Sequence, residues 1–174
     1  MEEILNRRSI RKFIDKPVEK DKINRLLRAA MQAPAAANQQ PWEFIIVQDR
    51  ETLNKLSQAT PYSKPVAGSA VTFILVANTE HLLIPNAWQH DMSAAAENML
   101  LEATHLGLGA VWLTVSIAEE SSENVRKLFA LPEAVKPFAL IAAGYPDNQK
   151  NEFVDRYKAE KVFYEKYGET QTAK

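Results

Sequence analysis

The sequence contains no cysteine among its 174 residues. That absence excludes disulfides, thiolate-bound zinc, cysteine-ligated iron–sulfur clusters and cysteine nucleophiles together. Glycine is nearly as scarce. Gly68, Gly107, Gly109, Gly144 and Gly168 are too few and too far apart to write a dinucleotide-binding fingerprint or a phosphate loop. No serine stands between glycines in a nucleophile elbow. His81, His90 and His105 lack metal-motif spacing, and no metal site is expected. Neither sign of charge prevails: 21 basic against 22 acidic residues give a net charge of −1, so no global positive field exists to hold nucleic acid. Long hydrophobic runs are missing as well. The stretches near Val71–Ala77 and Ala139–Ala143 are far shorter than a membrane span, and the segment Met1–Arg8 has no apolar signal core. A cytoplasmic protein with no membrane and no nucleic-acid partner is expected. By elimination, its chemistry comes from a bound non-metal cofactor or from carboxylates.

What is present describes an ordinary globular domain, with 46% hydrophobic and 25% charged residues. Ile23, Leu26, Leu27, Ala30 and Met31 fall at helical spacing, which predicts an amphipathic helix over Glu19–Met31. Trp42–Gln48 is predicted as a strand and Arg50–Ala59 as a short helix. Val71–Ala77, with only Thr72 polar, has the pattern of a strand buried on both faces. Asn86–Leu106 is predicted as the longest helix, its apolar line running through Trp88, Met92, Ala95, Met99 and Ala103, with Gly107 and Gly109 where its C-terminal cap is expected. On that helix Asp91 and Glu97 read as ordinary polar positions. Ala110–Val115 and Phe138–Ala143 are predicted strands. Between them, Ser116-Ile117-Ala118-Glu119 has capping-box form and opens a helix to about Ala130. Strands alternating with helices imply an α/β or α+β domain.

Four clusters carry candidate chemistry. Arg7-Arg8-Ser9-Ile10-Arg11 packs three arginines and a hydroxyl into five residues; guanidinium forks suit a phosphate, and the same residues suit an ordinary basic surface paired with Glu2, Glu3 or Asp15. If this segment is helical, Arg7 and Arg11 share a face. Pro34–Trp42 surrounds Asn38 and Gln40 with small residues and suits a planar heterocycle rimmed with N–H and C=O groups, or a loop that satisfies its own backbone. Gly109–Val115, with Trp112, Thr114 and Val115, is a strand end of the kind that rims ligand sites, or a plain core strand. Asp155-Arg156-Tyr157 lies in a charged C-terminal stretch that keeps Phe153, Tyr157, Phe163, Tyr164 and Tyr167. Those aromatics need a surface, either a second subunit or the chain's own core.

In this order, Arg7-Arg8-Ser9-Ile10-Arg11-Lys12-Phe13, Asn38-x-Gln40-Pro41-Trp42, Leu106–Trp112, Gly144-Tyr145-Pro146 and Asp155-Arg156-Tyr157 resemble the nitroreductase family of FMN-dependent oxidoreductases. The resemblance runs from Arg7 to about Tyr167. It implies an α+β fold with a central, mostly antiparallel sheet wrapped by helices. It implies a homodimer with FMN at the interface, residues 1–146 forming the core and residues 147–174 an extension over the partner. It implies that Arg7, Ser9 and Arg156 hold the phosphate with Arg8 close by, and that Arg11 faces the pyrimidine edge of the flavin. It implies that the Ala35–Asn38 loop, with Ala35 and Ala36, comes from the second subunit, that Asn38 and Gln40 position the loop and ring, and that Trp112, Thr114 and Val115 bind the cofactor, an amide of Thr114 or Val115 pointing at N5. It implies tightly bound FMN, NADH or NADPH as reductant, and ping-pong transfer to nitroaromatic or quinone-like acceptors, the flavin rather than a side chain carrying the chemistry. A flavin-binding sensor or storage protein and a flavin-dependent dehalogenase are the other activities considered on this scaffold. The chain departs from the resemblance at Ala35–Ala37, where relatives often carry serine and glycine, and at Thr114-Val115, where they often carry glycines.

Overall fold

The computed structural model describes residues 2–169; Met1 and the last five residues of the C-terminal extension lie outside the described residues. The helices are α1 (Glu2–Asn6), α2 (Lys20–Met31), α3 (Arg50–Leu56), α4 (Trp88–His105) and α5 (Glu119–Leu128), and the strands are β1 (Trp42–Val47), β2 (Val71–Asn78), β3 (Gly109–Thr114) and β4 (Val135–Gly144). The strands form one sheet in the order β1-β2-β4-β3, with every neighbour antiparallel. This is the α+β architecture expected. Among the described residues no helix is long and apolar enough to cross a membrane.

The apolar run of β2 explains the layering. Strand side chains alternate between faces, so a run with a single polar residue needs cover on both. Phe73 and Leu75 point into a core built with Ile23, Leu26 and Ala30 of α2 and Met92, Ala95 and Met99 of α4. Ile74 and Val76 point into a second core with Leu53 and Leu56 of α3 and Val125 of α5. Thr72, the one polar residue of the run, shares a hydrogen bond with the Ser69 hydroxyl at 2.9 Å.

Local signals account for the element ends. Asp49 accepts from the Thr52 N–H at 2.8 Å and caps α3. Gly107, in the left-handed region at φ 71°, lets α4 stop: its N–H reaches the Thr104 carbonyl and the Leu108 N–H reaches the Ala103 carbonyl, which closes a Schellman motif. The capping box expected at Ser116–Glu119 does not form. α5 starts at Glu119 behind Ala118, with no side-chain cap. Ser116 is committed elsewhere, its N–H donating to Phe138 as an extension of the β3–β4 ladder.

The segment after α1 is extended rather than helical, so Arg7 and Arg11 share no helix face. The Ile10 N–H donates to the Ala110 carbonyl at 3.0 Å, and Ser9 and Ala110 form a parallel bridge along the outer edge of β3. Two glycines make the approach possible. Gly109 and Gly144 are register partners across β3 and β4. A Cβ on Gly109 would come within 2.5 Å of Ile10, and one on Gly144 within 3.1 Å of Phe13. Ile10 and Phe13 therefore lie on a patch of sheet that has no side chains.

Tyr145 ties this corner to α2. Its hydroxyl donates to Glu19 at 2.7 Å and accepts from Lys22 Nζ at 2.8 Å, while Lys16 Nζ lies 3.8 Å over the ring. The hydroxyl holds the Glu19 carboxyl below its ordinary range. A depressed carboxyl stabilises the fold above the ordinary carboxylate range, and that contribution is lost as pH falls through it. Urea midpoints of wild type and Tyr145→Phe should therefore differ at neutral pH and converge in acid, once pH has fallen through the depressed Glu19 range. A gap that persists unchanged in acid would show that the Glu19 contact is not what Tyr145 contributes.

The extension beyond Pro146 does not fold back over the core in its described part. Phe153 is 59% exposed, Tyr157 74% and Tyr167 93%. Its start is nevertheless fastened. Gln149 Oε1 accepts from the Arg11 and Lys12 N–H groups at 2.8 and 3.0 Å, and Asn151 Oδ1 accepts from the Arg8 N–H at 3.0 Å. Asn151 Nδ2 also donates to the Leu108 carbonyl at 3.0 Å. Two side-chain amides thus take the place of a neighbouring strand for the arginine segment.

Candidate functional site

The arginine segment and the start of the extension enclose a groove of about 560 Å³ lined by Arg8, Ser9, Arg11, Lys150, Glu152 and Arg156, with Ile10 and Gln149 between them. Four cationic side chains face the single carboxylate of Glu152, which pairs with Lys150 at 3.0 Å. Arg8 is the unusual member. Its Nη1 donates to the Arg7 carbonyl at 2.6 Å, but its Nε and Nη2 are buried and have no hydrogen-bond partner among the described residues. Nε and Nη2 form one edge of the guanidinium fork, the edge that meets a carboxylate or phosphate bidentately. Buried donors without partners cost a sizeable desolvation penalty, and this edge has the donor geometry that a carboxylate or phosphate matches.

Arg7 and Arg8 have different surroundings. Arg7 does not line the groove; its Nε pairs with Glu97 of α4 at 3.3 Å, which gives Glu97 a partner that its reading as an ordinary helix position did not supply. Arg8 has the orphaned fork. Arg11 lies at the groove with its Nη1 on the Ser9 carbonyl at 3.2 Å, and Arg156 reaches the groove from the extension.

Beyond Ala110 the outer edge of β3 is open. The Val115 N–H donates to Phe138 at 3.0 Å, so that amide is already committed to β4. In an antiparallel ladder the amides alternate sides, and the Thr114 N–H faces the open edge. Of the two amides singled out, Thr114 is the one with a free donor. Trp112, on the same strand, packs on Phe138 with ring centroids 5.4 Å apart, and its Nε1 is buried without a partner.

The loop of Ala35, Ala36, Asn38 and Gln40 is elsewhere. It leads into β1, the opposite edge of the sheet from β3. It also sits at the opposite end: Trp42 is in register with Ala77, and Ala77 with Lys136, beyond the C-terminal end of β3, whereas Ser9 bridges its start. One chain therefore brings Arg8, Ser9, Arg11 and Arg156 together at one corner and holds the loop at the diagonal corner, three strand spacings or roughly 14 Å across the sheet.

The loop has its own anchor. Asp91, buried to 4% exposure in the first turn of α4, accepts from the Ala36 N–H at 2.8 Å and from Gln39 Nε2 at 2.6 Å. Its reading as an ordinary helix polar position is corrected here. The signal was present in the sequence: Asp91 is three residues after Trp88 and four before Ala95, inside the apolar line of the helix. Gln39, Gln149 and Asn151 carried no comparable signal, since a polar side chain in a polar stretch has no pattern to break.

The sequence model described as the nitroreductase family matches residues 4–68 and 61–145. The chain belongs to the nitroreductase family. A relative from Archaeoglobus fulgidus, provisionally named an NADH dehydrogenase/NAD(P)H nitroreductase, is 38% identical over 94% of this chain and 96% of its own length. Among solved structures, a provisionally named NADH oxidase from Clostridium acetobutylicum matches this nitroreductase-family chain with a TM-score of 0.94 and 50% identity, covering 95% of this chain and 99% of the other. An FMN-dependent nitroreductase from Clostridium difficile matches with a TM-score of 0.89 and 31% identity, covering 96% and 100% of the two chains.

Proposed function

We propose that the chain is an FMN-dependent oxidoreductase that takes electrons from NAD(P)H and passes them to nitroaromatic or quinone-like acceptors, working as a homodimer with FMN at the subunit interface. The observation that carries this reading is the buried, unpartnered fork of Arg8 at a groove with three further cations. A phosphomonoester fits that donor set: it offers up to two negative charges and several acceptor oxygens to a site that has donors to spare. The names of the relatives supply the flavin and the reductant.

FMN, when bound, supplies the two-electron carrier between reductant and acceptor. This chain's residues bind and orient it. Arg8, Arg156 and the Ser9 hydroxyl hold the phosphate. Arg11 sets a fixed cation at the N1/C2=O edge, where it favours added negative charge. The Thr114 N–H donates at the open edge of β3, toward N5. No side chain is required as a dedicated acid or base, and reductant and acceptor take turns over the same ring face. The diagonal separation of the loop from the arginine groove supports two subunits, because a ligand at the β3 edge meets Asn38 and Gln40 from a second copy. The exposed aromatics of residues 147–169 support the same arrangement, with the extension lying on the partner.

The visible spectrum of the purified protein tests the reading. Oxidised-flavin peaks that NADH or NADPH bleaches under anaerobic conditions are expected. Peaks that neither reductant bleaches would favour the sensor or storage reading, and a protein that takes up no FMN would overturn the reading altogether.

A further inference from the structure

We propose that Asp91 is a positioning residue whose carboxylate holds the Ala36–Gln40 loop in the left-handed form in which it meets the flavin. The inference rests on the flavin reading above and adds to it a residue that does not itself touch the cofactor.

The loop is unusual for a stretch without glycine. Ala37, Asn38 and Gln40 have φ of 49°, 53° and 45°, so three residues with a Cβ occupy the left-handed region within four positions. That region is unfavourable for such residues, least so for asparagine, and it persists only where surrounding contacts over-determine it. Within the loop, the Asn38 N–H reaches the Ala35 carbonyl and the Gln39 N–H the Ala36 carbonyl, each at 3.0 Å, while Gln40 Nε2 donates to Asn38 Oδ1 at 2.8 Å. These are local contacts that move with the loop. Asp91 is different. It belongs to a long helix packed in the core, and its two oxygens grip the loop on either side of Ala37 and Asn38, at the Ala36 N–H and at the Gln39 amide. The first turn of α4 favours a negative charge at this depth.

The carboxylate is needed as such. Gln39 cannot turn its amide over freely, because its Oε1 accepts the Ile84 N–H at 3.0 Å and its Nε2 donates to the Ile84 carbonyl at 3.3 Å. With Nε2 fixed toward Asp91, only a group that accepts on both oxygens satisfies Ala36 and Gln39 together. Asp91→Asn sets an NH2 against one donor or the other. Exchanging the two functions, Asp91→Asn with Gln39→Glu, restores the contact between them: the new carboxylate accepts from the Ile84 N–H and from the new amide, whose oxygen still accepts from Ala36, while the 3.3 Å bond to the Ile84 carbonyl is given up, so the recovery is partial.

The test uses the full chain, with and without FMN. In the flavin-free protein, amide hydrogen exchange at Ala36, Asn38 and Gln39 should accelerate by about tenfold or more in Asp91→Asn and return toward wild type in the exchanged pair. Gln39→Ala, a milder change on a half-buried side chain, should accelerate the same amides if Asp91→Asn folds poorly. In binding titrations followed by flavin fluorescence, Asp91→Asn should weaken FMN and riboflavin alike, by about tenfold to a hundredfold, because the loop orients the ring and not the phosphate. The exchanged pair should recover part of that loss. Unchanged exchange in Asp91→Asn, or an exchanged pair no better than the single variant, would overturn the proposal. Faster exchange with undiminished flavin affinity would also overturn it, leaving Asp91 as an anchor of no consequence for the cofactor. Failure of the flavin reading itself looks different: the wild type would take up neither ligand.

Discussion

Gly109→Ala should unseat the arginine segment and abolish most FMN binding, although the added methyl group touches no ligand. Its Cβ would lie 2.5, 2.6 and 2.9 Å from three side-chain atoms of Ile10. Ile10 cannot swing aside, being buried to 1% exposure. Overpacking of this kind costs about 1–3 kcal/mol. The least costly relief is to lift Ile10, and with it the Ile10–Ala110 hydrogen bond and the Arg8 and Arg11 side chains on either side. Urea denaturation and FMN titration together check this. Adding Ile10→Ala should return part of the affinity by making room for the methyl group. Gly144→Ala should be milder, since its Cβ would stand 3.1 Å from the Phe13 ring, a contact that a small shift relieves. Full affinity in Gly109→Ala would mean that the arginine corner does not depend on its seat on the sheet.

Arg8→Ala should separate FMN from riboflavin. Losing a charge-assisted fork of about 1.5–3 kcal/mol weakens FMN by roughly tenfold to a hundredfold and leaves riboflavin, which has no phosphate, nearly unaffected. The same variant should lose the rise in melting temperature that millimolar inorganic phosphate is expected to give the wild type. Arg156→Ala should act in the same direction with a smaller effect, because that side chain is exposed and keeps its hydration. Arg7→Ala should leave the FMN-to-riboflavin ratio alone and lower stability through the unpaired Glu97. Equal losses of both ligands in Arg8→Ala would overturn the assignment of the phosphate corner.

Much of the fold could be read from the residues because burial leaves a periodic trace. The unbroken run of β2 announced two covered faces, the helical spacing of Ile23, Leu26 and Ala30 announced the buried side of α2, and Gly107 marked the end of α4. The arginine cluster, the Asn38–Gln40 loop and Arg156 stood out as dense or odd composition. What the sequence did not give away depends on where edges fall in space. The order β1-β2-β4-β3 sets the arginine cluster and the Asn38–Gln40 loop at opposite corners, and no local pattern encodes strand order. Ser116 had the composition of a cap but was claimed by the sheet, a tertiary contact outweighing a local one. Gln149 and Asn151 act through side-chain amides that substitute for a strand, and amides in a charged extension look like solvated residues until their partners are known.

The diagonal placement of the arginine corner and the loop has a genetic counterpart. In the twofold dimer proposed above, each site would draw its arginine corner from one chain and its loop from the other. A subunit damaged at Arg8 still carries a sound loop, and one damaged at Asp91 still carries a sound arginine corner. Paired with each other, they concentrate both lesions in one site and leave the second wholly wild type. Two inactive alleles expressed together would then complement, and random pairing would recover about a quarter of the full number of working sites. Lesions confined to the same corner would never do so, whichever residues they hit.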